Sequence, residues 1–219
     1  MIDEYITQIR KAQKLVKFFA EKNGWPDIPD FHKFDHVHEE LSEMSTPLLF
    51  LSEAEKRKYV TNNIDHYIDG VGDFYFAMCR LSNQLGIDVS DSFRNVISHV
   101  YGQTPDFNGE IRNSQDIVRM LETPSLETNI MDYFDSIHGK LIELSQHLRY
   151  KNQDQISTIL IENKQIFEEG TGAMYISLCR LANELIVDMQ EAFNTVKGRI
   201  FSKYQGIDTE TNLVHKPTS

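Results

Sequence analysis

One stretch of this chain occurs twice, one hundred residues apart. Residues 69–85 read DGVGDFYFAMCRLSNQL, and residues 169–185 read EGTGAMYISLCRLANEL. Eight of the last sixteen positions of the stretch are identical in the two copies, which indicates an internal duplication. Because the carboxylate Asp73 is replaced by Ala173, we expect the copies to share a helix and to differ in chemistry.

The duplication extends beyond this stretch. At an offset of 100, the recurring residues include Phe34 and Phe134, His38 and His138, Leu41 and Leu141, Glu43 and Glu143, and Phe93 and Phe193. Nearer the start of each copy the offset is 102, as for Ile9 and Ile111. The sequence therefore predicts one repeat over residues 1–103, a second over residues 104–205 and a loosely ordered tail over residues 206–219.

The spacing of apolar residues predicts the fold class. They recur three and four positions apart, as in residues 2–22, and this spacing is typical of amphipathic helices. Ser52 and Glu55 form a capping box before a charged helix. No segment alternates apolar and polar residues as a strand would. We therefore predict an all-α protein, two copies of four or five helices packed about a pseudo-twofold axis, either as separate bundles or intertwined.

Charge and composition exclude some classes of function. A formal net charge of -11 disfavours nucleic-acid binding, which depends on Lys and Arg contacts with phosphate. No run of eighteen apolar residues is present and the N-terminus is acidic, so neither a membrane span nor a signal peptide is expected. Cys79 and Cys179 occupy equivalent positions on apolar helix faces, which favours two buried thiols and a cytoplasmic location.

Two pairs of carboxylates stand at helical spacing. Glu40 and Glu43 are three residues apart, Asp69 and Asp73 are four apart, and each pair shares a helix face. Four carboxylates at one point of a bundle, with Glu39 close by, would repel one another unless cations sat among them. Hard oxygen ligands in that number suit Mg²⁺ or Mn²⁺.

Solvated surface acids are the alternative reading of these pairs. In a chain with 33 Asp and Glu residues, carboxylates at helical spacing also arise by chance. The setting of Asp73 favours a function, because the apolar run FYFAMC that follows it is expected to be buried.

The two segments that contain these carboxylates resemble a known superfamily of proteins. HEELSEM at residues 38–44, followed by the stretch at residues 69–85, resembles the all-α nucleoside triphosphate pyrophosphohydrolase superfamily, which includes the MazG-like proteins and the dimeric dUTPases. The pattern of that superfamily is Glu-x-x-Glu, a spacer, then Glu-x-x-Asp. Glu40 and Glu43 match its first half and Asp73 matches its final Asp. Gly70 stands where the second half has Glu, and Asp69 beside it is the possible substitute.

The resemblance implies Mg²⁺-dependent hydrolysis, with Mn²⁺ as a possible replacement, of a (deoxy)nucleoside triphosphate to the monophosphate and pyrophosphate. It implies that Glu40, Glu43 and Asp73 are metal ligands, with Asp69 as a further candidate. Glu39 and Glu40 are the candidate catalytic residues. It also implies either a homodimer or a monomer that contains an internal pseudo-dimer.

Other side chains could contact a nucleotide. The candidates for substrate binding are Lys14, Lys33, Trp25, Arg80 and Asn83. A structural role is the alternative for Arg80 and Asn83, because both recur in the second copy, and for Trp25, which could cap a bundle. A zinc site at His32, His36 and His38 is disfavoured, because no cysteine accompanies these histidines.

The glycines of the repeated stretch predict close helix packing rather than a phosphate loop. Gly70 and Gly72 persist as Gly170 and Gly172 in the copy that loses the acid, and glycine within a helix costs about 1 kcal/mol unless packing compensates. We expect Gly70→Glu to be tolerated if helix packing leaves room.

The second copy is expected to lack the metal cluster. It has Lys140 where Glu40 stands and Ala173 where Asp73 stands, so its expected contribution is to supply neighbouring helices. Three functions remain open at this point: a nucleotide pyrophosphohydrolase, a non-catalytic module that binds nucleotides or proteins, and a purely structural helical repeat protein.

Overall fold

The computed structural model describes residues 4–25, 32–102, 105–122 and 129–203. Within these ranges the chain forms ten α-helices, and no β-strand is present. The all-α prediction is confirmed. None of the described helices combines the length and the apolar character needed to cross a membrane. The predicted boundary between residues 103 and 104 and the predicted tail over residues 206–219 lie outside the described residues.

The helices follow one another in a similar order in the two halves of the chain. The first half contains α1 (Ile9–Lys22), α2 (His32–Ser45), α3 (Glu53–Asn62), α4 (Ile64–Leu85) and α5 (Val89–Tyr101), with a short 3-10 helix at Thr46–Leu48. The second half contains α6 (Ile111–Leu121), α7 (Ile130–Leu148), α8 (Gln153–Glu162), α9 (Lys164–Leu185) and α10 (Met189–Lys203). The repeated stretch lies in α4 and α9, which are both 22 residues long.

Local sequence signals set several helix ends. Ser52 and Glu55 form the expected capping box at the start of α3. Gly86 ends α4 with φ 68°, in the left-handed region that glycine enters at little cost. Ile186 ends α9 with φ 59°, a conformation that is unfavourable for a β-branched residue.

The first helix is shorter than its apolar spacing predicts. We expected a helix over residues 2–22, but α1 begins at Ile9. The segment before it is extended and pairs with the segment before α6: the Ile9 amide donates to the Gly109 carbonyl over 3.0 Å, and the Ile111 amide donates to the Thr7 carbonyl over 2.8 Å. Long-range pairing therefore satisfies backbone groups that a longer helix would have satisfied locally.

The two halves of the chain exchange helices. The last helix of the second half, α10, packs along α4 of the first half, and α5 of the first half packs along α9. The helices α4 and α9 meet at the centre, where the rings of Tyr75 and Tyr175 lie 5.6 Å apart. The arrangement is therefore intertwined, which the sequence had left open.

Glycines allow the close packing of α10 on α4 and of α5 on α9. A Cβ atom on Gly72 would overlap the carbonyl oxygen of Ala192 in α10, and a Cβ atom on Gly172 would overlap the carbonyl oxygen of Ser92 in α5. The prediction that these glycines serve close helix crossing is confirmed. The crossing at Gly72 sets the position of α10 against the part of α4 that carries Asp73.

The two cysteines lie on the buried faces of the central helices. Cys79 and Cys179 are fully buried and form no disulfide. Burial raises the pKa of both thiols, because the low-dielectric core disfavours the charged thiolate. The expectation of two buried thiols is confirmed.

Candidate functional site

The helices α2 and α4 bring Glu40 and Asp73 to one cavity of about 190 Å³, here called the first cavity. The apolar stripe of α2 is buried, and Glu40 lies at the edge of that stripe with 18% of its side chain exposed. Asp73 lies one residue after the glycine crossing on α4, with 25% of its side chain exposed. The two helices therefore hold two carboxylates in a partly dry environment.

Burial and mutual repulsion raise the pKa values of the two carboxylates in this cavity. The pKa of Glu40 is raised to about 7, first by burial and then by the negative charges of Asp73, Glu43 and Glu39. Burial also raises the pKa of Asp73, and Asp69 and Glu43 add to that rise. All five acids singled out in the sequence thus lie close enough to act on Glu40 or Asp73.

Cationic side chains from two helices line the same cavity. Arg80 comes from α4, and Arg199 and Lys203 come from α10 of the other half of the chain. The Arg199 Nη2 atom lies 2.5 Å from the Asp73 Oδ2 atom, and this contact opposes the rise in the pKa of Asp73. Acidic and basic groups therefore meet where α10 crosses α4.

His36 contacts Glu40, the other carboxylate of the first cavity. Its Nε2 atom lies 3.4 Å from the Glu40 Oε1 atom. Burial lowers the pKa of His36, and the positive charge of Arg80 lowers it further. At neutral pH His36 is therefore mainly uncharged and does not neutralise Glu40.

The remaining wall of the first cavity is apolar. It is formed by Trp25, Phe76, Ala77 and Ile200. The guanidinium carbon of Arg80 lies 4.4 Å from the centre of the Trp25 ring, a cation–π contact that holds both side chains at the wall. A ligand with a flat apolar portion and several negative charges would match these surfaces.

Lys14, Asn83 and Lys33 do not line the first cavity. Lys14 and Asn83 line a separate shallow depression beside α1. Asn83 donates from Nδ2 to the Gln13 carbonyl over 3.0 Å, and its counterpart Asn183 donates to the Gln115 carbonyl over 3.2 Å. The repeated asparagine therefore joins two helices in each half. The charge of Lys33 lowers the pKa of His36.

The three histidines of α2 have different partners. His32 lies 3.4 Å from Asp35, whereas His36 contacts Glu40. The Nδ1 atom of His38 lies 2.8 Å from the Nδ1 atom of His138, and the two rings are stacked where α2 meets α7. These side chains do not form the tetrahedral set that zinc requires.

The two carboxylates of the first cavity suit a magnesium ion, which needs few protein ligands, better than an ion that protein side chains coordinate completely. Among the described residues, no group of three or more His, Cys, Asp or Glu side chains is arranged to hold a metal ion. Mg²⁺ commonly uses one or two protein carboxylates and completes its shell with water and substrate phosphates. Glu40 and Asp73, two hard oxygen donors that repel each other, fit that pattern.

The position of Gly70 leaves no open space for the glutamate of the superfamily pattern. A Cβ atom on Gly70 would overlap the side chain of Met44, which is fully buried. The expectation that Gly70→Glu is tolerated depended on open space, and Met44 fills that space. Asp69, one residue earlier on α4, is half-buried and acts on the pKa of Asp73.

Sequence reasoning missed Arg199 and Lys203. Both lie more than one hundred residues from Glu40 and Asp73, and only the exchange of α10 brings them to the cavity. A signal was present in the comparison of the copies: the counterpart of Asp73 is Ala173, and the counterpart of Arg199 is His99. The acid and the base that contact each other are thus both absent from the other copy.

The equivalent place in the second half of the chain is a larger cavity of about 820 Å³, here called the second cavity. Lys140, Ala173 and His99 line it at the positions equivalent to Glu40, Asp73 and Arg199. Lys140 is paired with Glu143 over 2.8 Å, and Arg180 is paired with Glu122. The second cavity is lined by Glu143, Glu168 and Glu169, but it has no carboxylate at the positions equivalent to Glu40 and Asp73.

No family model, curated protein or solved structure matches this chain.

Proposed function

We propose that this protein is a metal-dependent nucleoside triphosphate pyrophosphohydrolase with one active site per chain, in the first cavity. The observation that carries this proposal is the placement of Glu40 and Asp73 in one cavity that Arg80, Arg199 and Lys203 also line. Paired carboxylates with facing cations match the needs of a phosphate chain that arrives with a divalent ion. The resemblance of residues 38–44 and 69–85 to the superfamily supports the same reaction.

The metal ion would be held by Glu40 and Asp73, the two acids that line the first cavity, while Glu43 and Asp69 act on them through their charge. When bound, it would neutralise phosphate charge and lower the pKa of a bound water. In its absence burial, and after it the negative charges of Asp73, Glu43 and Glu39, raise the pKa of Glu40 to about 7.

The cations of the cavity would hold the phosphate groups. Arg80 and Arg199 present planar guanidinium groups that suit paired phosphate oxygens, and Lys203 adds a point charge. The cavity of about 190 Å³ is smaller than the roughly 300–1,000 Å³ of typical small-molecule sites. It therefore suits the triphosphate, and the base and sugar would lie against Trp25 and beyond the rim.

Hydrolysis would proceed by attack of water on the α-phosphorus. The bond from that phosphorus to the oxygen that bridges to the β-phosphate breaks, pyrophosphate leaves, and the water oxygen remains on the monophosphate. The proton of the water would pass to a carboxylate, Glu39 or Glu40. A base with a pKa near the working pH is efficient in this role.

A screen of ribo- and deoxyribonucleoside triphosphates with Mg²⁺ or Mn²⁺, read as pyrophosphate release, tests the proposal. We expect release with at least one substrate, and we expect Glu40→Gln to abolish it. Glu143→Gln, the same change of a carboxylate to an amide in the second cavity, is the control and should keep full activity. Absence of pyrophosphate release with every nucleotide and both metals would refute the proposal.

A non-catalytic nucleotide-binding module is the second candidate function. The ion pair between Asp73 and Arg199 favours it, because the carboxylate is already partly neutralised within the chain. This alternative predicts that nucleotides bind and protect the fold against thermal unfolding, while no pyrophosphate is released.

We also propose that the chain acts as a monomer that contains an internal pseudo-dimer, because α10 already supplies the first cavity with side chains from the other half. The two buried, unpaired cysteines are consistent with a cytoplasmic location.

A further inference from the structure

Arg199 lies where both a metal ion and the phosphate groups of a nucleotide would bind in the first cavity. Its guanidinium contacts the Asp73 carboxylate over 2.5 Å, and it lines the cavity beside Glu40. The same side chain is 52% exposed, so it can leave Asp73 without disturbing the core. Arg199 is therefore paired with Asp73, a proposed metal ligand, and its side chain has room to move toward solvent.

The packing of α10 explains why this contact forms. The backbone of α10 lies close against α4 where Ala192 crosses Gly72, one residue before Asp73. Arg199 lies seven residues, or about two helical turns, after Ala192, and its long side chain reaches back to Asp73. The contact thus depends on the exchange of helices between the two halves of the chain.

The two copies differ in both partners of this contact. In the second cavity, Ala173 replaces Asp73, His99 replaces Arg199, and Lys140 replaces Glu40. The arginine is present where Glu40 and Asp73 stand, and it is absent where Lys140 and Ala173 replace them. A general phosphate contact would not require this coupling, whereas a contact with the carboxylate does.

We propose that Arg199 takes the place of the divalent cation in the metal-free protein and moves to the substrate phosphates when metal and nucleotide bind together. This inference rests on the proposed function. A cationic guanidinium on Asp73 repels a divalent ion and shares a ligand oxygen with it, so it disfavours binding of the metal alone. The phosphate chain supplies a new anionic partner for Arg199, and this favours loading of metal and nucleotide as one unit.

The energetic consequence is an opposite effect of one substitution on two ligands. Removal of the guanidinium removes a competitor of the metal, so the free protein should bind the ion more tightly. The same removal deletes a charge-assisted hydrogen bond to phosphate, so the phosphate ligand should bind more weakly. A residue that only orders the carboxylates would weaken both ligands.

Calorimetric titration of Arg199→Gln with Mn²⁺ alone, and then with pyrophosphate at saturating Mn²⁺, tests the proposal. We expect the Kd for Mn²⁺ to fall by about threefold to tenfold, because one repelling charge is removed at a half-exposed site. The Kd for pyrophosphate should rise about tenfold or more. Circular dichroism and thermal unfolding establish that the variant is folded.

Lys203→Gln is the matched control, since Lys203 lines the same cavity from the same helix but is not paired with Asp73. It should weaken pyrophosphate binding and change the Kd for Mn²⁺ by less than about twofold. Arg199→Lys, which keeps the positive charge, should leave Mn²⁺ binding close to that of the unmodified protein.

Three results would overturn the inference, and they differ in what they imply for the proposed function. If Arg199→Gln binds Mn²⁺ as the unmodified protein does, or more weakly, Arg199 does not compete with the metal, while the function stands. If Lys203→Gln tightens Mn²⁺ binding as much as Arg199→Gln does, the effect belongs to the general positive charge of α10. If neither the unmodified protein nor any variant binds Mn²⁺, the proposed metal site and this inference fail together.

Discussion

The first and second cavities occupy equivalent places in the two halves of the chain but have different chemistry. In the first cavity, the half-buried carboxylate of Asp73 raises the pKa of Glu40, and an arginine from the other half is paired with Asp73. In the second cavity, a lysine and an alanine stand at those positions, and the lysine is paired with Glu143. The helices around both cavities are held by the same contacts, such as the glycine crossings at Gly72 and Gly172.

This difference separates what the fold needs from what the chemistry needs. Glycine, tyrosine and asparagine positions that hold the helices together recur in both copies: Gly72 and Gly172, Tyr75 and Tyr175, and Asn83 and Asn183. The half-buried carboxylates Glu40 and Asp73, by contrast, are replaced by Lys140 and Ala173 in the second copy. Buried carboxylates that repel one another are costly, so their presence indicates a requirement other than stability.

Replacing Asp73 of the first cavity by alanine, the residue at the equivalent position of the second copy, should have the largest effect on activity. Asp73→Ala reproduces Ala173 at the equivalent helix position, so the helix should form while metal-dependent pyrophosphate release falls on the order of a hundredfold or more. Steady-state assays with the best nucleotide of the screen measure this loss. Near-normal turnover in Asp73→Ala would show that the difference between the cavities does not decide catalysis.

The shared helix crossings should respond alike in the two halves. Gly72→Ala and Gly172→Ala should each lower the free energy of unfolding by about 1–3 kcal/mol, because the added methyl group would overlap a backbone carbonyl of the crossing helix. Urea unfolding measures the change. Gly139→Ala is the control, since a Cβ atom there meets open space, and it should stabilise α7 by about 1 kcal/mol. A large loss in only one half would mean that the two crossings are not equivalent.

The charge cluster should make the metal-free first cavity a source of instability at high pH. The pKa of Glu40 is about 7 in the folded protein and ordinarily near 4.5, so the folded state binds more protons between these pH values. The free energy of unfolding should therefore decrease as pH rises from about 4.5 through 7. Glu40→Gln should remove this decrease and raise stability at pH 8 by about 1–3 kcal/mol after allowance for solvent screening.

Chemical unfolding in the presence of a chelator, followed across this pH range, measures the effect of Glu40→Gln. Lys140→Gln at the equivalent place provides the comparison and should not reproduce the change in pH dependence. Equal pH profiles for the unmodified protein and Glu40→Gln would contradict the carboxylate repulsion on which the difference between the cavities depends.

The smallest expected effect concerns the contact that joins the halves at α2 and α7. The pKa values of His38 and His138 are lowered by burial, and the charge of His38 further lowers that of His138. Their Nδ1 atoms share a hydrogen bond, which requires at least one neutral ring. Stability should therefore be lost as pH falls below the ordinary histidine pKa of about 6.5. His38→Asn should reduce this acid sensitivity in thermal unfolding; an unchanged acid profile would exclude the pair as its cause.

The sequence by itself determined the helices and the residues on which their packing depends. Apolar residues three and four apart specify which helix face is buried, so α2, α4 and α9 could be placed without any long-range information. The repetition of Gly70 and Gly72 in the copy without Asp73 indicated helix crossing rather than phosphate binding. Helical spacing also placed Glu40 and Asp73 on faces that could meet.

Only the tertiary structure decided which helices meet and therefore what else enters the first cavity. Helical periodicity shows which face of a helix is buried but not which partner covers it, since many apolar stripes are compatible with one another. The exchange of α5 and α10 brings Arg199 and Lys203 to the carboxylates from the far end of the chain. Pairing between the segments before α1 and α6 likewise shortened α1, because backbone groups there found partners one hundred residues away rather than in the next helical turn.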